Sequence, residues 1–353
     1  VKILVIKPDG IGDLILLVPV LVALKQQNAS CSITVVVSSF SKGWLETVAC
    51  VDRVLVFDRP DRKLTGLEKV SASVRTIKWI LLNNLIFYDR VYLPRRKGTL
   101  GDKLLCLLSL TKHRISWNDS GWNWMYALQK PVESGVHEVL QMMNLFEVAE
   151  PSEYEYSVEI NEDNAGKPKE IMGLEGEVYI IVGCNAARIG RRSWPVDYYA
   201  NVVRQLKARS PDLKFVIVGA GDDVAVAEAL IKLTGSYVTS AAGKFSLLET
   251  AALMKDAILF IGNDSGPMHM AAAVGVPVVE ISCHVQGGDP NHANAPERFG
   301  PYGVPHRICR PEKAMAPCID CCMMEHAHCI TAVTPGQVYQ AAVELLSSCS
   351  AEE

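Results

Sequence analysis

Short runs of Val, Ile and Leu recur along this chain at helix-length intervals, and that rhythm constrains the fold more than any single residue. The runs are "KILVIKP", "SITVVVSS", "DRVLVFD" and "DRVYLP", then "VYIIVGC", "KFVIVGAG", "AILFIGND" and "VPVVEIS". A strand that is apolar on both faces needs cover on both, and continuous β-branched runs of this kind belong to parallel sheets sandwiched by helices. Amphipathic stretches such as "DYYANVVRQLKARS" and "LLETAALMKDA" lie between many of the runs and supply those helices. From about Pro151 to Gly176 the chain turns polar and acidic, which reads as a hinge or linker with one extended segment. The expected fold is therefore α/β, with two Rossmann-like, doubly wound halves. Such sheets bind ligands beyond the carboxyl ends of their strands, so the turns that follow strands are where chemistry is expected.

At 353 residues there is room for two cores. With 49% hydrophobic and 21% charged residues the balance is that of a globular protein in water. A net charge of -4 disfavours a general affinity for nucleic acid. The longest apolar run, Leu14 to Leu24, is too short to span a bilayer and contains Pro19. It follows an acidic loop rather than a basic leader, so the expected location is cytoplasmic.

Three turns stand out. "GNDSGPMHMAAA" follows a strand ending at Ile261, with Pro267 set to open a helix and Asp264 or Ser265 placed to cap it. A helix N-terminus there offers N–H groups and a positive dipole end to a diphosphate. "VGCNAARIGRRSWP" follows another strand and carries Arg188, Arg191 and Arg192, which read either as bidentate phosphate ligands or as a solvated basic loop. "VIVGAGDD" brings Asp222 and Asp223 to a third strand end, for ribose hydroxyls or as a helix cap. At the N-terminus, "GIGD" breaks the dinucleotide pattern by placing Asp13 beside the glycines. No Gly-x-Gly-x-x-Gly with a distant acid follows a strand, which disfavours an NAD-dependent oxidoreductase.

"GIGDLILLVPVLVALK", "RRSWP", "GKFSLLETAALMKDA" and "GNDSGPMHMAAAVGVPVV" together resemble glycosyltransferase family nine, the ADP-heptose:lipopolysaccharide heptosyltransferases and their relatives. "GVHEVLQMMNLF" and "TPGQVYQAA" are also similar to family segments. The resemblance implies GT-B architecture, two Rossmann-like domains facing across a cleft. On that reading residues 1–160 bind the acceptor and 161–335 the nucleotide-sugar, and 336–353 form a helix packing back on the N-terminal domain. It implies an inverting, metal-independent sugar transferase with no cofactor and no catalytic metal. Its partners would be a nucleotide-diphosphate sugar and a glycan or glycolipid acceptor, with room for peripheral contact with the inner membrane. Asp13 would be the general base, kept ionised by the dipole of the helix it sits on. Arg192, where relatives often carry Lys, would stabilise the departing diphosphate. Asn185, Ala186, Arg188, Asp223, Asp264, Ser265, Gly266 and His269 would bind the donor, and Gly12, Arg95 and Arg96 the acceptor. The alternative within this architecture is an isomerase of the nucleotide-sugar 2-epimerase kind. The phosphate turn lacks the Ser or Thr of some relatives, and the segment "CHVQGGDPNHANAPERFG" is longer than their compact loop.

Two features stay open. Cys309, Cys318, Cys321, Cys322 and Cys329 crowd into 21 residues, with His306, His326 and His328 nearby. They read as a structural metal site, as free thiols or as a disulfide, the last disfavoured in cytosol. Related autotransporter heptosyltransferases carry a cysteine iron finger of different spacing. "WNDSGWNWMY" gathers three tryptophans that either fill a core or present rings to a sugar or a lipid interface.

Overall fold

In the computed structural model the chain forms two compact units, Val1–Glu159 and Ile160–Glu353. The structure describes residues 1–58, 74, 78–79, 86–150, 162–184 and 190–349. The first unit holds β1 (Lys2–Ile6), β2 (Ser32–Val37), β3 (Arg53–Val56), β4 (Arg90–Leu93), β5 (Arg114–Trp117) and β6 (Leu128–Lys130), in the order β3-β2-β1-β4-β5-β6. The second holds β7 (Tyr179–Gly183), β8 (Lys214–Ile217), β9 (Val238–Ser240), β10 (Leu259–Asn263), β11 (Val278–Ile281) and β12 (His306–Cys309), in the order β12-β11-β10-β7-β8-β9. Every pairing is parallel. Counted within its own unit, each sheet runs 3-2-1-4-5-6, the doubly wound order expected of the two apolar series. The order in which successive strands are added reverses between β1 and β4 in one unit and between β7 and β10 in the other, so those are the two topological switch points.

The eight apolar runs became β1 to β4, β7, β8, β10 and β11. The four other strands read "RISW", "LQK", "VTS" and "HRIC". They are three or four residues long and mix polar with apolar side chains, so no continuous run announces them. The run Leu14 to Leu24 is divided between the helices Ile11–Ile15 and Val18–Gln27, with Pro19 in the first turn of the second, where its missing N–H is harmless. Val18, Val20, Leu21, Ala23 and Leu24 are all buried, because this helix also packs against the helix Glu138–Phe146.

The second half of the acidic linker is a helix, Glu162–Met172, which the sequence did not suggest, and residues 151–161, where the extended segment could fall, lie outside the described residues. Pro168 inside the helix costs one backbone hydrogen bond, on the order of 3 kcal/mol. Packing on the helix Leu247–Lys255 and an ion pair from Lys169 to Asp256 offset that cost. Those partners lie some eighty residues downstream, and the helix has no apolar stripe of its own to announce it. The terminal helix Pro335–Cys349 sets Val338, Ala341, Ala342 and Leu345 into the core of the second unit. Among the described residues, no helix is long and apolar enough to cross a membrane.

Candidate functional site

In the first unit, charge collects where β1 and β4 end. Lys7 follows β1 and is buried. Its Nζ lies 3.2 Å from Asp9 Oδ2 and 3.8 Å from Asp13 Oδ1, and donates to the Pro94 carbonyl at 3.5 Å. Arg95, just after β4, sets Nη1 2.9 Å from Asp9 Oδ1 and 3.0 Å from Asp102 Oδ2. Asp102 is itself fixed, accepting the Thr99 N–H at 2.8 Å in a reciprocal cap on the helix Leu100–Leu108. The network therefore crosses the switch point from one strand to the other. Burial alone would lower the pKa of Lys7. Asp9, then Asp13 and Glu138, outweigh it and hold the ammonium above the ordinary lysine value.

Asp13 sits on this network at the third position of a five-residue helix, half-buried beside Gly12. Its side chain keeps 43% of its surface open, enough for a hydroxyl to reach it. Its pKa is nevertheless raised. Loss of hydration is the largest cause, and repulsion from Asp9 and Glu138 adds to it, against the attraction of Lys7 and Arg95. The dipole of the helix, expected to favour the charged form, works against this shift. So short a helix has a weak dipole, and dehydration and like charge prevail over it. A carboxylate raised in this way is a stronger base than a free one. Glu138, buried at the start of its helix, was given no role from sequence. Its only local signal was a Glu in the first turn of an otherwise apolar helix. Arg96 follows Arg95 and is half-buried.

In the second unit the arrangement is mirrored in charge. Arg192 ends the short turn Gly190–Arg192 after β7. Its Nη1 pairs with Asp264 Oδ2 at 3.1 Å, and its Nε and Nη2 donate to Asn294 Oδ1 at 3.1 and 2.6 Å. The turn is pinned two residues later, where the buried Trp194 donates its indole N–H to the Val333 carbonyl at 2.9 Å and meets Tyr199 edge-on at 4.8 Å. Asp264 and Ser265 close β10 and lead into the helix Gly266–Ala273. Asn263, fully buried, accepts from the Tyr199 hydroxyl at 3.0 Å and so fixes the strand end. Ser265 is the N-cap but makes no side-chain cap bond, and Pro267 is the second helical residue, one place later than expected. Met268 N–H turns back to the Ser265 carbonyl at 3.1 Å and Pro267 has none to give. Gly266 then keeps the first-turn N–H among the described residues. His269 is buried in the same helix.

Asp223 is engaged locally. Its Oδ2 accepts the Ala220 N–H at 2.8 Å and closes the turn after β8, while at the N-cap of the helix Val224–Thr234 its side chain makes no cap bond. Asn185, Ala186 and Arg188 lie outside the described residues. Two residues that sequence reasoning did not single out complete the cluster. Asn294 comes from the long 283–300 segment, so that segment serves to hold Arg192. Glu280, on β11, is buried, and its pKa is pushed well above the ordinary glutamate value by burial first and by the nearby Asp264 next, with Arg192 opposing. Of the three tryptophans, Trp117 is core, while Trp124 is 75% exposed and stacks on Trp122 at 6.3 Å.

Residues 97–328 match the model of glycosyltransferase family 9 (heptosyltransferase). The chain belongs to glycosyltransferase family 9. A curated relative, lipopolysaccharide heptosyltransferase 3 of Escherichia coli (strain K12), is 32% identical over 104 residues. That segment spans 29% of this chain and only 30% of the relative. Solved family members match over their whole length. The family 9 glycosyl transferase of Veillonella parvula DSM 2008 has a TM-score of 0.77 at 21% identity, over 98% of this chain and 97% of its own. The E. coli ADP-heptose lps heptosyltransferase II has 0.73 at 19% identity, over 99% and 100%. The two doubly wound units are thus the family 9, GT-B fold.

Proposed function

We propose that this family 9 protein is an inverting glycosyltransferase that moves heptose from ADP-heptose to a lipopolysaccharide core or related glycan. The division of charge between the two switch points carries the reading: a carboxylate of raised pKa beyond β1, and an anchored guanidinium beyond β7. Asp13 takes the proton of the acceptor hydroxyl as that oxygen attacks the anomeric carbon. The bond from that carbon to the diphosphate breaks, its electron pair leaves on the phosphate oxygen, and Arg192 stabilises the charge. Asp264, Ser265, Gly266 and His269 hold the donor around the β10 turn, and Gly12, Arg95 and Arg96 belong to the acceptor side. Asn185, Ala186, Arg188 and Asp223 complete the proposed donor set. The ADP-heptose assignment is supported by what E. coli heptosyltransferase II is named for.

No step is assigned to a metal, so added Mg²⁺ should leave the rate unchanged. A thermal-shift screen of nucleotide-sugars tests the donor. A ligand at a hundred times its Kd stabilises by about 2.7 kcal/mol, so ADP-sugars should raise the melting temperature above UDP- and GDP-sugars. An equal response to all three would remove the ADP assignment. Incubation with ADP-heptose alone should leave it unchanged; isomerisation without acceptor would establish the epimerase reading instead.

A further inference from the structure

The five C-terminal cysteines are not one group. Cys309 is buried near the terminal helix, its Sγ 3.9 Å from the Gln337 carbonyl, and Cys321 is half-exposed. Cys318, Cys322 and Cys329 are buried together in a small cluster of their own. His328 stands with them, and one ligand atom from each of the four lies within 4.8 Å of all the others. His328 Nδ1 is 3.4 Å from Cys329 Sγ and 3.7 Å from Cys318 Sγ. In a tetrahedral centre with metal–sulfur bonds of about 2.3 Å and metal–nitrogen bonds of about 2.0 Å, the sulfur-to-nitrogen edge is about 3.5 Å. The two measured edges bracket that value. The Met323 N–H also points at Cys318 Sγ at 3.5 Å, the kind of backbone donor that supports a ligating thiolate.

We propose that Cys318, Cys322, His328 and Cys329 bind one zinc ion in a closed, structural Cys3His site. Thiolate and imidazole donors in tetrahedral array select zinc, and four protein ligands leave no open position for catalysis. Binding displaces the three thiol protons to solvent and uses neutral imidazole through Nδ1, so the centre carries one net negative charge. A disulfide would pair two of the buried cysteines and leave the third and the histidine without purpose.

The site has mechanical work to do. From Cys318 to His328 the chain has no regular secondary structure, yet it packs on backbone at two glycines. A Cβ on Gly190 would overlap the Glu325 carbonyl oxygen, and one on Gly288 would lie 2.8 Å from the Asp320 carbonyl oxygen. Gly190 opens the turn that carries Arg192, and Gly288 lies in the segment that carries Asn294. The zinc loop therefore backs both halves of the Arg192 cradle. The metal assignment itself does not rest on the proposed donor.

The test is metal analysis of the full chain, purified under reducing conditions without chelator. About one zinc per chain is expected. Less than about a tenth of an equivalent, before and after incubation with zinc and reductant, would overturn the proposal. An equivalent of iron in place of zinc would overturn the choice of metal. Cys322→Ser and His328→Ala should lose zinc to a competing chelator at least about tenfold more readily, whereas Cys321→Ser and Cys309→Ser should keep it. Zinc lost from Cys321→Ser but held by Cys322→Ser would refute the ligand set. If the ligand variants fail to fold, cobalt in the unaltered protein decides. Thiolate-to-cobalt charge-transfer absorption is expected, and bound cobalt without it counts against the site.

Discussion

The two sheets have the same strand order and each carries an arginine–aspartate pair across its switch point, but the signs are exchanged. In the first unit the acid, Asp9, follows the first strand and Arg95 follows the fourth, 2.9 Å apart. In the second, Arg192 follows the first strand and Asp264 the fourth, 3.1 Å apart. One fold has been used twice, and the side chains at equivalent strand ends decide what each copy can do. Beyond β1, loss of hydration first and the surrounding acids next drive Asp13 toward a higher pKa, which suits proton removal. Beyond β7 the cation leads, held by Asp264 and Asn294 with its charge near the helix Gly266–Ala273, and suits an anion.

The sharpest way to break that contrast is Asp13→Asn. It keeps the shape and removes the base, so kcat should fall by about 10²- to 10⁴-fold while ADP affinity, measured by calorimetry, stays within about twofold. Near-normal transfer in that variant would end its role as base. Arg192→Met comes next. A guanidinium that stabilises leaving-group charge is worth roughly 10²- to 10³-fold in kcat, and here ADP should also bind more weakly. If Arg192→Met lost only transfer and Asp13→Asn lost only ADP binding, the division of labour would be reversed.

Much of this was legible from the residues. Continuous Val/Ile runs predicted eight of the strands, and the turns after β1, β7 and β10 pointed to Asp13, Arg192 and Asp264. What escaped was set by partners distant in sequence. Asn294 meets Arg192 across about a hundred residues, and nothing near either residue announces it. Glu138 and Glu280 look like ordinary carboxylates until burial places them beside other acids. The helix Glu162–Met172 was hidden by its polar composition and by Pro168. The cysteine cluster showed the right region and left the ligands open. Only the folded loop separates Cys322 from its neighbour Cys321.

A smaller effect sharpens the first unit. Arg95 holds the pKa of Asp13 down. In Arg95→Met that pKa should rise, so the acid limb of the rate profile moves to higher pH. Activity would be lost below the new pKa and regained as pH rises. Arg95→Lys should restore the profile, because it keeps the charge. A uniform loss at every pH, with no shift of the limb, would mean that Arg95 acts only on the acceptor side or the structure and does not tune the base.

The smallest effect concerns the second unit, through stability rather than rate. Glu280 is buried beside Asp264, and its pKa in the folded protein lies well above the ordinary value. As pH rises through the ordinary glutamate range, the unfolded chain releases a proton that the folded chain keeps. The native state then binds more protons, and stability falls as pH climbs toward the folded pKa. The slope from this one group is at most about 1.4 kcal/mol per pH unit. Glu280→Gln removes the titration but keeps the size. Urea titrations from pH 5 to pH 8 should therefore find the variant gaining on the parent as pH rises. A constant difference across that range would mean that Glu280 stays ionised in the fold. The Arg192 cradle would then hold two carboxylates rather than one, and the second switch point would be less cationic than the comparison with the first requires.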